Sequence, residues 1–203
     1  SGPADARREM TAPSGSRFRT LASYTAWWLA AQIGTALLQF GYAAVTSRLV
    51  PAVGFGAYAV AMSLMALVTL IATGGLGQAA ARTPELHRGK LSFLVLLASG
   101  LGFVAALVTS LLAKPWAVLW DAPDAVNPTR LIALSAFVAP LSALLLGVQR
   151  RIGGFRALAV SMVATSAAGM AIGVVAVLHS PGPVTLVVSP VIMTVLLTVI
   201  LLI

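Results

Sequence analysis

Gln32, Thr35, Gln39 and Tyr42 concentrate hydrogen-bonding side chains on an otherwise apolar segment, at spacings of three, four and three. That spacing puts all four on one face of an α-helix. Amides and hydroxyls arrayed in this way suit two purposes. They can line a water-filled cavity and bind the hydroxyl groups of a sugar, or they can bond to neighbouring helices. Gln78 adds a further amide near the end of the next apolar segment. Arg48, Arg82, Arg130, Arg150 and Arg151 are candidate anion contacts, because a guanidinium forks onto a phosphate. Each of these arginines also suits a topology signal or a headgroup anchor at the edge of an apolar run.

Other chemistries are poorly supplied. Cysteine is absent, which removes disulfides, thiolate nucleophiles and Cys-ligated metals. Asp121 and Asp124 lie among Pro123, Asn127 and Pro128, a composition that marks a solvated turn instead of a catalytic acid pair. His87 and His179 fall on opposite sides of the topology derived below. Gly74-Gly75-Leu76-Gly77 lacks the third glycine and the preceding strand of a dinucleotide loop, and reads as a loosened helix end. Neither a cofactor, a metal nor a catalytic constellation is expected, so the chain does not read as an enzyme.

The elements that carry these residues are long apolar runs. Of 203 residues 59% are hydrophobic and 9% charged, against about 25% charged in a soluble domain. Spans are predicted at about 24–46, 57–80, 91–113, 130–148, 157–178 and 184–203, after a disordered tail over 1–20. The fold class is therefore all-α and polytopic, with about six transmembrane helices. None of the spans holds an Asp, Glu, Lys, Arg or His near its middle. A charge there costs at least about 2.5–3.5 kcal/mol and persists only for function, so a proton relay or carboxylate cation site is not expected.

Charge patterning tests the span count. The tail carries Arg7, Arg8, Arg17 and Arg19; the second loop Arg82, Arg88 and Lys90; the fourth loop Arg150, Arg151 and Arg156. Only Arg48, Lys114 and Arg130 fall on the other side. The positive-inside bias puts the N-terminus in the cytoplasm and turns the net charge of +8 into a topology signal, not a nucleic-acid footprint. Small residues four apart supply close packing: Ala98, Gly102, Ala106 and Ser110 on the third span, and Ser161, Thr165, Gly169 and Gly173 on the fifth. Thr73, Gly77 and Ala81 repeat the pattern at the end of the second. Pro140 and Pro190 lie inside spans and are expected to kink them. Ile203 ends an apolar run without a polar flank, so the chain is expected to continue beyond it.

The segment Ser47-Arg48-Leu49-Val50-Pro51-Ala52-Val53-Gly54-Phe55-Gly56-Ala57-Tyr58-Ala59, followed by a helix ending Gly75-Leu76-Gly77-Gln78-Ala79-Ala80-Ala81-Arg82, resembles the first hairpin of the polysaccharide flippases. These are the Wzx-type O-antigen and teichoic acid exporters of the multidrug/oligosaccharidyl-lipid/polysaccharide superfamily. Leu146-Gly147-Val148-Gln149-Arg150-Arg151-Ile152-Gly153-Gly154-Phe155 is similar to the loop after that family's fourth helix. The resemblance implies one six-helix lobe of a two-lobed transporter in the bacterial cytoplasmic membrane, its second lobe lying outside this sequence. It implies transport of a polyprenyl-pyrophosphate-linked oligosaccharide, as in lipopolysaccharide assembly, with membrane lipid and polysaccharide-assembly proteins as partners. Arg48 matches the arginine of the hairpin motif. The cavity candidates are thus Gln32, Thr35, Gln39, Tyr42, Arg48, Gln78 and Arg82.

Alternatives are a drug or peptidoglycan-precursor exporter of the same superfamily, or a non-transporting scaffold. The missing acid in the first span disfavours a cation-coupled drug antiporter. A polytopic glycosyltransferase would need acidic residues in its first outer loop, and residues 48–56 hold none. Because the chain has no native cysteine, single cysteines introduced at Lys90, Arg151 and Asp121 report topology directly. An impermeant maleimide applied to intact cells is expected to label Asp121→Cys and to spare the other two.

Overall fold

The computed structural model describes residues 14–78, 88–152 and 155–202. Six helices account for almost all of them: α1 (Ser14–Leu49), α2 (Ala52–Thr73), α3 (Arg88–Leu119), α4 (Val126–Ile152), α5 (Phe155–His179) and α6 (Pro183–Leu202). A 3-10 turn at Pro123–Ala125 leads into α4. The protein is an all-α polytopic membrane protein. Helices α2 to α6 are each long and apolar enough to cross a membrane. At 36 residues α1 is long enough, but Gln32, Gln39 and its polar opening turns make it less apolar than the rest.

Several helix ends differ from the sequence expectation: α2 starts at Ala52 and turns at Gly74–Gly75, against about 57–80, and α4 spans Val126–Ile152 against about 130–148. Helix α1 begins at Ser14, so the last residues of the expected disordered tail are helical; residues 1–13 lie outside the described residues. Helix α3 runs through Lys114 and Pro115 to Leu119, into the stretch expected to be loop. Tertiary contacts hold that extension. Trp116 donates its indole N–H to the Val60 carbonyl at 3.1 Å, with Ser63 Oγ at 3.3 Å, and Ala117 is buried with Ala57 and Ala125. The helix then stops on a hydrogen-bonded cap. The Ala122 N–H reaches back to the Ala117 carbonyl at 2.9 Å, and that of Asp121 to Val118 at 3.1 Å. Asp121 sits at φ 50, so these bonds form a Schellman motif with an aspartate in the left-handed position.

The helices run up and down, with two junctions at the end where α1 starts and three at the other. At the end where α1 starts, the Arg150 guanidinium lies 4.9 Å above the Trp28 ring, and Gly147 of α4 abuts the carbonyl of Gly77. At the opposite end Val50, Val177 and Leu186 cluster beside the α1–α2 and α5–α6 turns. Side by side, α1 lies on α5, α5 on α6, α6 on α4 and α4 on α3, while α2 packs on α4 and α3 and more lightly on α6. Only Val50 and Pro51 separate α1 from α2, yet the two helices splay: α1 meets the bundle broadly through α5 alone.

Glycines and alanines set these approaches. A Cβ on Gly102 would run into the Phe137 carbonyl, and one on Gly169 would stand 2.9 Å from the Ser189 carbonyl. Thr165, Gly169 and Gly173 are all buried, as their ridge requires. On α3 the ridge starts with buried Ala98 and Gly102 but passes to Ala105, Thr109 and Ala113, leaving Ala106 and Ser110 half-buried. The shift follows from geometry, since each four-residue step overshoots a turn by about 40°.

Among the described residues Gly75 is also left-handed, at φ 88, in the turn after Thr73 that ends α2. Substituting Asp121 separates the two ways of filling such a position. Asp121→Gly is expected to hold or raise stability by up to about 1 kcal/mol, and Asp121→Val to cost about 1–2 kcal/mol. Thermal unfolding of the detergent-solubilised protein measures both.

Candidate functional site

Pro190 has no N–H, so the Leu186 carbonyl one turn earlier in α6 loses its helical donor. In hydrocarbon no water replaces it. The Tyr42 hydroxyl of α1 donates to this carbonyl at 3.4 Å. Tyr42 reaches it across Gly173 of α5, where a Cβ would come within 3.1 Å of the tyrosine ring and hydroxyl and 2.7 Å of Ser189 Cβ. Leu186 is itself buried with Val50 and Val177, and Phe55 and Tyr58 of α2 pack against that cluster. Four helices therefore converge at one polar point inside the bundle. It lies about 10 Å along α1 from the Val50–Pro51 turn, at about 1.5 Å per residue.

The expected polar face of α1 divides in two. Trp28, Ala31, Thr35, Leu38, Tyr42 and Thr46 are the residues turned inward, at helical spacing. Gln32 and Gln39 sit on the adjoining flank and are exposed. Thr35 is 8% exposed, and its hydroxyl has no hydrogen-bond partner. That is unusual here: Thr46, Thr69, Thr73, Thr109, Thr129, Thr165, Thr194 and Thr198 all bond back to the carbonyl four residues earlier. Ser135 of α4 is the second buried hydroxyl without a partner.

Arg48 is exposed at the end of α1, beside the turn. Gln78 is exposed at the far end of the second hairpin arm, about 40 Å away along a helix of this length, so the two do not share a contact set. Arg82 lies outside the described residues. The spacing argument missed Tyr58 and the pairing of Tyr42 with α6. The signal for the pairing was available in part: an intramembrane proline always frees the carbonyl four residues back.

The chain matches the polysaccharide biosynthesis protein family over residues 45–203. It belongs to that family. No curated protein and no solved structure matches it. The match takes in α2 to α6 and the last turn of α1, including Tyr58, Gly173, Leu186 and Pro190. It makes this a membrane protein of polysaccharide synthesis.

Apolar cavities flank the polysaccharide-synthesis bundle among the described residues. One of about 360 Å³ lies between α1 and α5, and one of about 160 Å³ between α2 and α3. Neither is lined by Gln32 or Gln39. Among the described residues no three His, Asp or Glu side chains are grouped to hold a metal ion.

The Tyr42–Leu186 bond can be tested by a double-mutant cycle. Tyr42→Phe is expected to cost about 0.5–1.5 kcal/mol. Pro190→Ala restores the missing helical donor, so the same tyrosine change should cost measurably less in that background. Equal costs in both backgrounds, read from reversible denaturant titration in mixed micelles, would show that the hydroxyl does not serve this carbonyl.

Proposed function

We propose that the protein is a non-enzymatic transporter that moves a polyprenyl-pyrophosphate-linked oligosaccharide across the cytoplasmic membrane by alternating access. One observation carries this reading: Gln32 and Gln39 are exposed on α1, which packs beside five helices apolar enough to cross a membrane and splays away from its hairpin partner. An amide facing hydrocarbon is unfavourable, so that flank is suited to a polar path. Amides supply both donors and acceptors, which matches sugar hydroxyls, and membership of a polysaccharide-synthesis family supports sugar as the cargo.

In this reading Gln32 and Gln39 contact the saccharide, and Tyr42 with Tyr58 closes the path where α1 and α2 converge. Arg48, at the rim beside the turn, meets the pyrophosphate. A second six-helix lobe faces the α1–α2 opening, and the orientation places the N-terminus in the cytoplasm. The Gly173 contact and the carbonyl freed by Pro190 supply a point about which α1 and α6 shift against each other.

Vesicles containing the full protein and a labelled polyprenyl-pyrophosphate oligosaccharide test the proposal through protection of the label from an impermeant enzyme. The wild type is expected to move label between leaflets. The pair Gln32→Leu with Gln39→Leu is expected to slow that movement about five- to 150-fold, from the loss of two hydrogen bonds at about 0.5–1.5 kcal/mol each. Arg48→Ala is expected to lower surface-glycan export while membrane insertion stays intact. Wild-type rates in the double variant would remove the amides from the path.

A further inference from the structure

The larger cavity, about 360 Å³, runs as a trough between α1 and α5. Trp27, Ala30 and Ala31 form one wall, and Ala159, Ala164 and Ala167 stand on the other. The run of alanines is what makes it: two helices bearing methyl groups where leucines would interdigitate leave a channel. Ala30, Val160 and Ala164 are exposed, so the trough opens sideways out of the bundle.

Its upper end is cationic. The Arg156 guanidinium lies 5.4 Å from the centroid of Trp27, and Arg150 lies 4.9 Å from that of Trp28 on the next helical position. Stacking uses the flat face of a guanidinium and leaves its in-plane N–H groups directed sideways, where they suit phosphate oxygens. Both arginines are exposed. From Arg156 at the mouth to Ala167 at the floor, α5 advances about 16 Å at about 1.5 Å per residue. The hydrocarbon core of a bilayer is about 30 Å thick, so the trough is one leaflet deep.

We infer that this trough is a binding site for an anionic membrane phospholipid: one acyl chain lies along the alanines between α1 and α5, and the phosphate rests against Arg156 and Arg150. Each part of such a lipid has a counterpart in the structure: an apolar channel of leaflet depth, an aromatic residue at the mouth and positive charge beside it. The occupant is drawn from the leaflet on the side where α1 begins. Since α1 meets the bundle broadly through α5 alone, the lipid chain completes the contact that joins them. The inference stands whether or not the protein transports a lipid-linked sugar.

Trp27 is a built-in reporter, because bromine on an acyl chain quenches indole fluorescence only on contact. The full chain is placed in phosphatidylcholine nanodiscs with a minor fraction of acyl-brominated phosphatidylglycerol, or of acyl-brominated phosphatidylcholine as control. The Trp27 component is taken as the difference from Trp27→Phe. Brominated phosphatidylglycerol is expected to quench at several-fold lower mole fraction than the control. Arg156→Gln is expected to weaken that preference about fivefold, the usual effect of one basic residue near an anionic surface. Ala164→Phe, at an exposed position, fills the trough and should bring the two lipids to a common curve with the fold intact by circular dichroism. Superimposed curves for the two lipids in the wild type would overturn the inference, and so would a phosphatidylglycerol preference that survives Ala164→Phe.

Discussion

Hydrocarbon offers no partner to a polar group, and the architecture of this chain answers to that constraint throughout. Backbone donors and acceptors are spent inside six helices, and eight threonines fold their hydroxyls back onto the preceding turn. Where Pro190 breaks the pattern, a tyrosine from another helix serves the freed carbonyl. Where apolar burial gives little net drive between helices, glycine and alanine let backbones approach until a Cβ no longer fits, as at Gly102, Gly147 and Gly173. The exceptions then become informative. Exposed Gln32 and Gln39, and the buried unpartnered hydroxyl of Thr35, are polar groups that the bundle itself does not satisfy.

These three lie on α1, the helix with the narrowest attachment; Ser135 on α4 is a further buried hydroxyl without a partner. The inward residues of α1 rest on α5, its cationic clasp is made with Arg150 and Arg156 at one end, and Tyr42 pins it to α6 near the other. Helices α2, α3, α4 and α6 each pack on two or more neighbours and form one body. A helix held at two points and free along one polar flank is suited to move relative to that body. In the proposed transport reading, the moving element and the sugar-contacting element are the same helix.

Much of this was legible in the sequence. Apolar runs and the alternation of basic loops gave the up-and-down order, and the structure brings Arg150 to Trp28 and Gly147 to Gly77 at one end as that order requires. Of the ridge Ser161, Thr165, Gly169 and Gly173, the last three are buried and Ser161 is half-buried. The ridge on α3 drifts further, because each step of four residues exceeds one turn. The end of α3 was misread because Lys114 and Pro115 look like punctuation. Whether helix continues there depends on Trp116 finding Val60 and Ser63 on another helix, which no local pattern contains. Likewise Gln32, Thr35, Gln39 and Tyr42 do share a broad face, but only the position of α5 decides which half is covered. The trough between α1 and α5 exists only once two alanine-bearing faces are brought opposite each other, so spacing on either helix alone does not reveal it.

The central claim is that one flank of α1 meets water, or a polar cargo, and not lipid. Substituted-cysteine accessibility along α1 tests it most directly in this cysteine-free background. Single cysteines at positions 32, 33, 36, 37, 39 and 40 are reacted with a small water-soluble thiol reagent in native membranes. The account predicts fast labelling at 32, 36 and 39 and little at 33, 37 and 40. Uniformly slow labelling, with 32 and 39 no faster than 33 and 40, would contradict it and would leave the amides as lipid-side or helix-packing residues with no path beside them.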